Sequence, residues 1–237
     1  MKPKDTEDDY LDNHFIKRSN WLRAAVLGAN DGILSTACLA IGVAAASDLR
    51  TPIVLATLAG LTAGALSMAA GEYVSVSSQT DVEKADIKRE AKEIEEMPEI
   101  EMHRLAKIYE KRGLKKETAL IVARELSEVD PLAAHIRDEL GINEITKANP
   151  MEAAFTSGAA FTVGGLVPLI VTIFFPLKGV EYSLYGFALF FLIILGAWAA
   201  EAGGSSWTKA ILRISFWGTV AMGLTAAVGY LFGVNIN

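Results

Sequence analysis

Cysteine is almost absent from this 237-residue sequence, which has only Cys38. A single cysteine excludes an intramolecular disulfide framework and any zinc site built from several thiolates. Cys38 lies among Ala, Leu and Ile residues, so we interpret it as a small apolar packing residue. The sequence also has no Gly-rich phosphate-binding loop and no catalytic nucleophile motif, which argues against ATP-driven chemistry and against an enzyme.

Charge is missing from several stretches of about 20 residues, the length that an apolar helix needs to cross a bilayer. The averages of 51% hydrophobic and 21% charged residues conceal this segregation. More than half of the acidic and more than half of the basic residues lie between positions 81 and 148, and the N-terminal tail is also acidic. The net charge of −6 comes from these segments, and neither provides the basic surface that nucleic acid would require.

The apolar stretches predict an all-α membrane protein with five transmembrane helices and a cytosolic helical insert between the second and the third. The predicted spans cover residues 21–46, 53–76, 153–175, 182–200 and 214–234. Pro168 predicts a kink in the third span. The N-terminal tail is polar and acidic and has no short apolar core, so we expect no cleaved signal peptide.

Lysine and arginine in the short loops predict the orientation of the chain, because they are enriched on the cytoplasmic side. They precede the first span and lie between the fourth and fifth spans, whereas the remaining short loops offer only Arg50 and Lys178. The N-terminus and the insert are therefore predicted to be cytoplasmic, and the C-terminus to face outward. The predicted domains are a cytosolic tail (1–20), two spans (21–80), the insert (81–148) and three spans (149–237).

The insert has the residue pattern of several short helices. Segment 78–96 is rich in Glu, Lys and Ala, and it continues the second span without Gly or Pro as far as Pro98. Proline stops a helix, so this segment is predicted to be one long helix that leaves the membrane. Further helices are predicted over 99–112, which Gly113 would end in a left-handed conformation, and over 115–128.

A last short helix of the insert is predicted from its capping residues. Asp130 and Pro131 supply an N-cap and a first-position proline, and the helix would end before Gly141. His135 and Glu139 are four residues apart on this helix and therefore share one face.

Asp31 and Glu72 are the two carboxylates well inside the apolar stretches, where ionisable groups usually mark a transport pathway. Met68 lies one helical turn before Glu72. Both carboxylates accompany pairs of glycines spaced four apart, at positions 28 and 32 and at positions 60 and 64, and this spacing lets another helix approach closely. We interpret Asp31, Met68 and Glu72 as a partly dehydrated cation site, in which the sulfur adds a slight preference for softer metals.

Each of these three residues also has a structural interpretation. Met68 alone is more often a packing residue than a ligand. Asp31 would only cap a broken helix if Asn30-Asp31-Gly32 formed a turn. Glu72 would face interfacial water if the serines that follow it mark the end of the span.

The face of Glu72 continues along the predicted long helix. Glu90 is about five helical turns, or about 27 Å, beyond Glu72. Glu83, Glu90 and Glu93 therefore extend this face into the insert, and Glu101 opens the next helix. Carboxylates from several helices together with an imidazole are typical of a metal cluster in a helical bundle. The alternative is a set of ordinary charged, solvated helix faces.

Five phrases of the sequence resemble the vacuolar iron transporter family. They are LRAAVLGANDGILST (22–36), AGALSMAAGEYVSVSSQTDVE (63–83), AKIYEKRGL (106–114), AAHIRDELGI (133–142) and GAAFTVGGLVPL (158–169). The first two phrases are long and specific, and the resemblance runs from about residue 19 to the C-terminus.

The resemblance implies a homodimer in the lipid bilayer that exports cytosolic Fe²⁺, and often Mn²⁺, in exchange for protons and without a prosthetic group. A bacterial member would reside in the inner membrane. The translocation path would lie between the subunits and use Asp31, Met68 and Glu72.

The resemblance also implies that the cytosolic insert collects metal with glutamates. Two positions depart from the family pattern. Arg104 stands near the place of a further family glutamate, for which Glu99 is an alternative, and His135 replaces a methionine and would act as a replacement ligand. The implied cytosolic ligands are Glu90, Glu93, Glu101, His135 and Glu139.

Two other function classes stay open at the level of sequence. A membrane-anchored di-iron storage or oxidation protein would show paired Glu-x-x-His motifs on two helices, and the sequence has none. A Ca²⁺ or Mg²⁺ exchanger would use oxygen ligands, so Met68 disfavours it without excluding it.

Overall fold

The computed structural model describes residues 19–142 and 149–233, with side chains from Leu22 onward. In this part of the chain the protein forms eight helices and no strand, as the sequence predicted. Most of the predicted N-terminal tail lies outside the described residues. The helices are α1 (Ser19–Ala46), α2 (Arg50–Glu96), α3 (Pro98–Lys111), α4 (Lys116–Val129), α5 (Pro131–Asp138), α6 (Pro150–Phe174), α7 (Val180–Ala202) and α8 (Trp207–Gly233).

Five of these helices, α1, α2, α6, α7 and α8, are long and apolar enough to cross a membrane. The described residues divide into two compact units. The first comprises the chain up to Tyr73 and from Met151 onward, and the second comprises Val74–Pro150. Helix α2 is continuous over Arg50–Glu96, which confirms the prediction that the second span continues as one helix to the residues before Pro98.

The core of the first unit is formed by α1, α7 and α8. Buried alanine and isoleucine residues of α1 recur at helical spacing and pack against α7, where the buried residues recur every fourth position. This repeat places one face of each helix in the core. Cys38 packs at the edge of this core as an apolar residue, as expected. The buried residues include Ile33, Ala37, Ile41, Leu184, Ala188, Leu192 and Met222.

Helices α1 and α6 approach so closely that their backbones touch. A Cβ atom on Gly28 or Gly32 would meet the carbonyl oxygen of Ser157 or of Phe161. The predicted close approach at this glycine pair is therefore confirmed, and α6 is the partner. At Gly60 and Gly64 the space is filled instead by side chains, those of Leu39 and Phe161.

We expect Gly32→Ala to destabilise the first unit. The added methyl group would overlap the Phe161 carbonyl, which is backbone and cannot rotate away. Overpacking of this kind costs about 1–3 kcal/mol or more. The test is the melting temperature of the full-length protein in detergent. Gly186→Ala is the matched control, because a Cβ there meets nothing within 4 Å. Equal melting temperatures for the two variants would contradict the close α1–α6 contact.

Arg50 connects the start of α2 to the end of α6. Its guanidinium donates hydrogen bonds to the carbonyl oxygens of Thr172 (2.9 Å), Ile173 and Phe175 (2.7 Å). The last carbonyls of a helix lack partners within the helix and carry partial negative charge. Arg50 satisfies them, so it has a structural role in addition to its place in the charge pattern of the loops.

The helix ends of the second unit follow the capping signals of the sequence. Gly113 has a φ of +105°, and the N–H groups of Gly113 and Leu114 bond back to the carbonyls of Glu110 and Tyr109. This is the glycine-ended cap that the sequence predicted. The Asp130 carboxylate accepts the N–H of Ala133 at 2.9 Å, which confirms the N-cap at the start of α5.

Candidate metal site

Four predicted ligands come together in the second unit: Glu90 from α2, Glu101 from α3, and His135 and Glu139 from the segment of α5. One ligand atom of each residue lies within 4.8 Å of those of the other three. Glu90, Glu101 and His135 are each 1% exposed. Three helices thus place three carboxylates and one imidazole around a common point, and of the four residues only Glu139 is exposed to solvent.

Local sequence explains why these side chains meet. Pro98 starts α3, which places Glu101 in the first turn, where the positive end of the helix dipole favours a carboxylate. Asp130 and Pro131 start α5, so His135 falls on the fifth residue of this helix and Glu139 on its C-cap. The four-residue spacing then keeps His135 and Glu139 on one face.

Asp138 fixes the end of α5 next to α3. Its carboxylate accepts hydrogen bonds from the Tyr109 hydroxyl at 2.7 Å and from Arg112 at 2.6 Å, and Arg137 also contacts it. Burial by itself would raise the pKa of Asp138, but the hydrogen bonds from Arg137, Arg112 and Tyr109 outweigh it and lower this pKa to about 2. Asp138 is therefore ionised at any physiological pH and holds the adjacent Glu139 in place.

The imidazole of His135 faces two carboxylates with one nitrogen. Its Nδ1 lies 2.7 Å from Glu90 Oε1 and 3.0 Å from Glu139 Oε2. One ring nitrogen carries at most one proton, so it cannot donate a hydrogen bond to both oxygens at full strength. A cation at the convergence of these atoms would satisfy both carboxylates and the nitrogen lone pair.

The environment of Glu101 also indicates that the group could bind a cation. Both of its carboxylate oxygens are buried and make no hydrogen bond within the part of the chain that the structure describes. Oε2 has an ion pair with Arg104 Nη1 at 3.0 Å, but a buried carboxylate without hydrogen bonds is still costly. Burial and then repulsion from Glu139 raise the pKa of Glu90 above its usual value. The group formed by Glu90, Glu101, His135 and Glu139 is therefore suited to bind a cation.

Glu93, also a predicted ligand, is not one of the four residues of this group. Its carboxylate instead binds Arg104, with Nη1 to Oε2 at 2.9 Å. Glu99, the sequence alternative for the missing glutamate, lies outside the group and lines a surface hollow beside His103 and Arg104. Glu83 pairs with Gln79 at 2.8 Å and is also separate.

The membrane residues Asp31, Met68 and Glu72 are all partly buried within the first unit. Helix α1 is continuous through Asp31, so the alternative in which this residue caps a broken helix is wrong. Met68 packs against the buried cluster that contains Leu61 and Phe161, so it has a packing contact in addition to its predicted role as a ligand. Within the described residues, neither carboxylate side chain has a hydrogen bond or an ion pair.

Sequence reasoning did not identify the contacts of Arg104. This residue lies three positions after Glu101 on α3, a spacing at which opposite charges pair on a helix. That spacing is a usable signal, whereas the contact with Glu93 of α2 depends on how two helices pack. Sequence reasoning also missed Thr36 and Ser157, two buried hydroxyls of α1 and α6 that make no hydrogen bond among the described residues.

Comparisons with known proteins identify relatives of the whole chain. A sequence model of the VIT family matches residues 22–230. A protein named vacuolar iron transporter from Acanthamoeba castellanii is 42% identical over 214 residues, covering 90% of this chain and 79% of the relative. Vacuolar iron transporter homolog 2 of Oryza sativa subsp. japonica is 35% identical over 233 residues, covering 94% and 98%. The protein of the same name from Arabidopsis thaliana is 32% identical over 235 residues, covering 97% and 93%.

These relatives are transporters and not enzymes, in agreement with the expectation from the sequence. Five helices able to cross a membrane make the chain an integral membrane protein. The family match covers most of the chain, including both units. The resemblance found in the sequence is thereby confirmed, and the chain belongs to the VIT family.

Proposed function

We propose that this protein carries Fe²⁺, and Mn²⁺ as well, out of the cytoplasm in exchange for protons. The observation that supports the proposal is the group of three carboxylates and one imidazole, in which Glu90, Glu101 and His135 are buried. It occurs in a chain whose relatives are named vacuolar iron transporters. In this proposal the metal ion is the substrate of transport, and the second unit is the place where the cytosolic ion is first bound.

The ligand chemistry favours transition metals over Ca²⁺ and Mg²⁺. Calcium and magnesium take oxygen ligands and magnesium prefers to keep several waters, whereas imidazole suits iron and its neighbours. His135 is buried and its Nδ1 lies 2.7 Å from Glu90 Oε1, so an imidazole nitrogen is available as a ligand beside the carboxylates. A Ca²⁺ or Mg²⁺ exchanger is therefore the weaker candidate. The di-iron storage or oxidation protein is not proposed, because the relatives are transporters.

Asp31, Met68 and Glu72 form the proposed membrane part of the path. Asp31 and Glu72 lie in the apolar stretches of α1 and α2, and among the described residues their side chains have no hydrogen bond or ion pair. A carboxylate in such a place holds either a cation or a proton. Entry of protons from outside would therefore displace the metal ion, and the return of the empty site would carry these protons inward.

The assembly and orientation are also part of the proposal. The spans α2 and α8 are the least buried of the five in a single chain, which leaves apolar faces for lipid and for a second subunit of a homodimer.

Lys209 and Arg213 lie in the first two turns of α8 and favour the cytoplasmic side for the loop before it. The N-terminus and the insert would share that side, the C-terminus would face outward, and the host membrane would be a bacterial inner membrane.

Metal flux in proteoliposomes under an imposed pH gradient tests the proposal. We expect uptake of Fe²⁺ and Mn²⁺ that depends on the pH gradient, with little uptake of Ca²⁺ and Mg²⁺. Liposomes without protein provide the background for each ion. Flux of Ca²⁺ or Mg²⁺ at a rate equal to that of Fe²⁺ would favour the exchanger, and the absence of any metal flux would refute transport by this chain.

A further inference from the structure

Arg104 holds a position among three carboxylates that resembles that of a bound cation. Its Nη1 lies 2.9 Å from Glu93 Oε2, 3.0 Å from Glu101 Oε2 and 3.9 Å from Glu139 Oε1. Two of these residues, Glu101 and Glu139, also belong to the candidate metal group. The Arg104 side chain is 43% exposed, so its guanidinium reaches these carboxylates from the surface of α3.

The same carboxylates define a second position, next to His135. There, Nδ1 of the imidazole faces Glu90 Oε1 and Glu139 Oε2, at 2.7 and 3.0 Å. Glu139 thus directs Oε1 towards Arg104 and Oε2 towards His135. Glu101 Oε1 is buried and makes no hydrogen bond within the described residues. The first position is occupied by the positive charge of Arg104, whereas the second position, beside His135, is surrounded by groups that could bind a metal ion.

We propose that Arg104 is a built-in cation that fills one of two adjacent cation positions, so that this cluster binds a single divalent ion. The inference rests on the proposed function and specifies how many ions the cytosolic site holds. Four carboxylates surround the two positions, those of Glu90, Glu93, Glu101 and Glu139. Two divalent ions would neutralise them, whereas Arg104 together with one divalent ion leaves one negative charge.

Electrostatics and geometry both oppose a second ion while Arg104 is present. A divalent ion in the position of its guanidinium would have to displace Nη1 from Glu93 and Glu101, its two closest contacts. An ion placed beside the guanidinium would meet strong repulsion, because like charges a few ångströms apart in a partly buried site are poorly screened. Removing the positive charge at position 104 should therefore create the second binding position.

The experiment compares Mn²⁺ binding by two full-length proteins in detergent, the unaltered protein and the Arg104→Gln variant. After removal of free metal, we expect one more Mn²⁺ per subunit in Arg104→Gln than in the unaltered protein. Electron paramagnetic resonance should show a magnetically coupled Mn²⁺ pair in the variant and only isolated ions in the unaltered protein. Arg104→Glu should bind the additional Mn²⁺ as Arg104→Gln does. Arg104→Lys keeps the positive charge, so it should bind the same number of ions as the unaltered protein.

Arg89→Gln is the matched control for loss of one positive charge. Arg89 contacts Glu93 at 3.8 Å, but its ion pairs do not include Glu101 or Glu139. This variant should keep the stoichiometry of the unaltered protein. Circular dichroism and the melting temperature establish that each variant is folded.

Four results would overturn the proposal, and they differ in which part of it they reject. A coupled pair in the unaltered protein, or an unchanged stoichiometry in both Arg104→Gln and Arg104→Glu, would reject the role of Arg104 and leave the metal site intact. An additional ion in Arg89→Gln would attribute the effect to overall charge. If His135→Ala binds as much Mn²⁺ as the unaltered protein does, the cytosolic site itself is rejected, and this inference with it. Measurements of metal flux would still test the proposed transport.

Discussion

Asp31→Asn and Glu72→Gln are each expected to reduce Fe²⁺ flux to the level of liposomes without protein. Both substitutions keep the size of the side chain and remove its negative charge, so the membrane path loses a group that can bind a cation or exchange it for a proton. A divalent ion in an apolar surrounding needs compensating charge, and within the described residues neither side chain has a partner that could take over. The measurement is the initial rate of Fe²⁺ uptake under a fixed pH gradient.

Glu201→Gln is the matched control for these two variants. Glu201 is an exposed carboxylate close to the end of α7, so its loss changes the charge of the same unit without affecting the proposed path. We expect its flux to equal that of the unaltered protein. Flux at the unaltered rate in Asp31→Asn or in Glu72→Gln would remove that residue from the mechanism.

Substitutions in the cytosolic group are expected to weaken metal binding and therefore to reduce the stability that bound metal adds to the native protein. Glu101→Gln and His135→Ala each remove one ligand of the buried group. Even outer-shell partners of metal ligands are worth about 10–100-fold in affinity, so loss of a ligand should weaken Mn²⁺ binding by about 10-fold or more.

Calorimetric titration and thermal unfolding of the full-length protein measure these two effects. Saturating Mn²⁺ should raise the melting temperature of the unaltered protein, because binding to the native state alone adds about 2.7 kcal/mol at 100 times the dissociation constant. This increase should be much smaller in Glu101→Gln. Glu125→Gln, an exposed carboxylate of α4 in the same unit, is the control. A Glu101→Gln protein that is less stable without metal and still binds Mn²⁺ normally would assign Glu101 a purely structural role.

The helices of this protein could be predicted from local signals, because their causes are local. Apolar length defines the five spans, and capping residues such as Gly113 and Asp130 define where helices of the second unit end and begin. The face shared by His135 and Glu139 follows from helical geometry. The resemblance to a known family then connected residues that periodicity alone left on separate helices.

The remaining features depend on which helices pack together, and no spacing in the sequence contains that information. The glycine pair on α1 indicates a close neighbour but not that the neighbour is α6, more than a hundred residues later. Glu93 was predicted as a metal ligand because it continues the face of Glu72 and because the family resemblance implies a glutamate ligand there. Its carboxylate binds Arg104 instead, since the turn at Pro98 brings α3 alongside the end of α2.

The central claim is that a metal ion and protons cross the membrane in opposite directions through this chain. The most direct test records both at once, with a Fe²⁺ indicator and a pH indicator in the lumen of the same proteoliposomes and no imposed pH gradient. We predict that adding Fe²⁺ outside raises luminal Fe²⁺ and luminal pH together, and that Glu72→Gln abolishes both signals. Fe²⁺ entry without any change of luminal pH would contradict proton exchange.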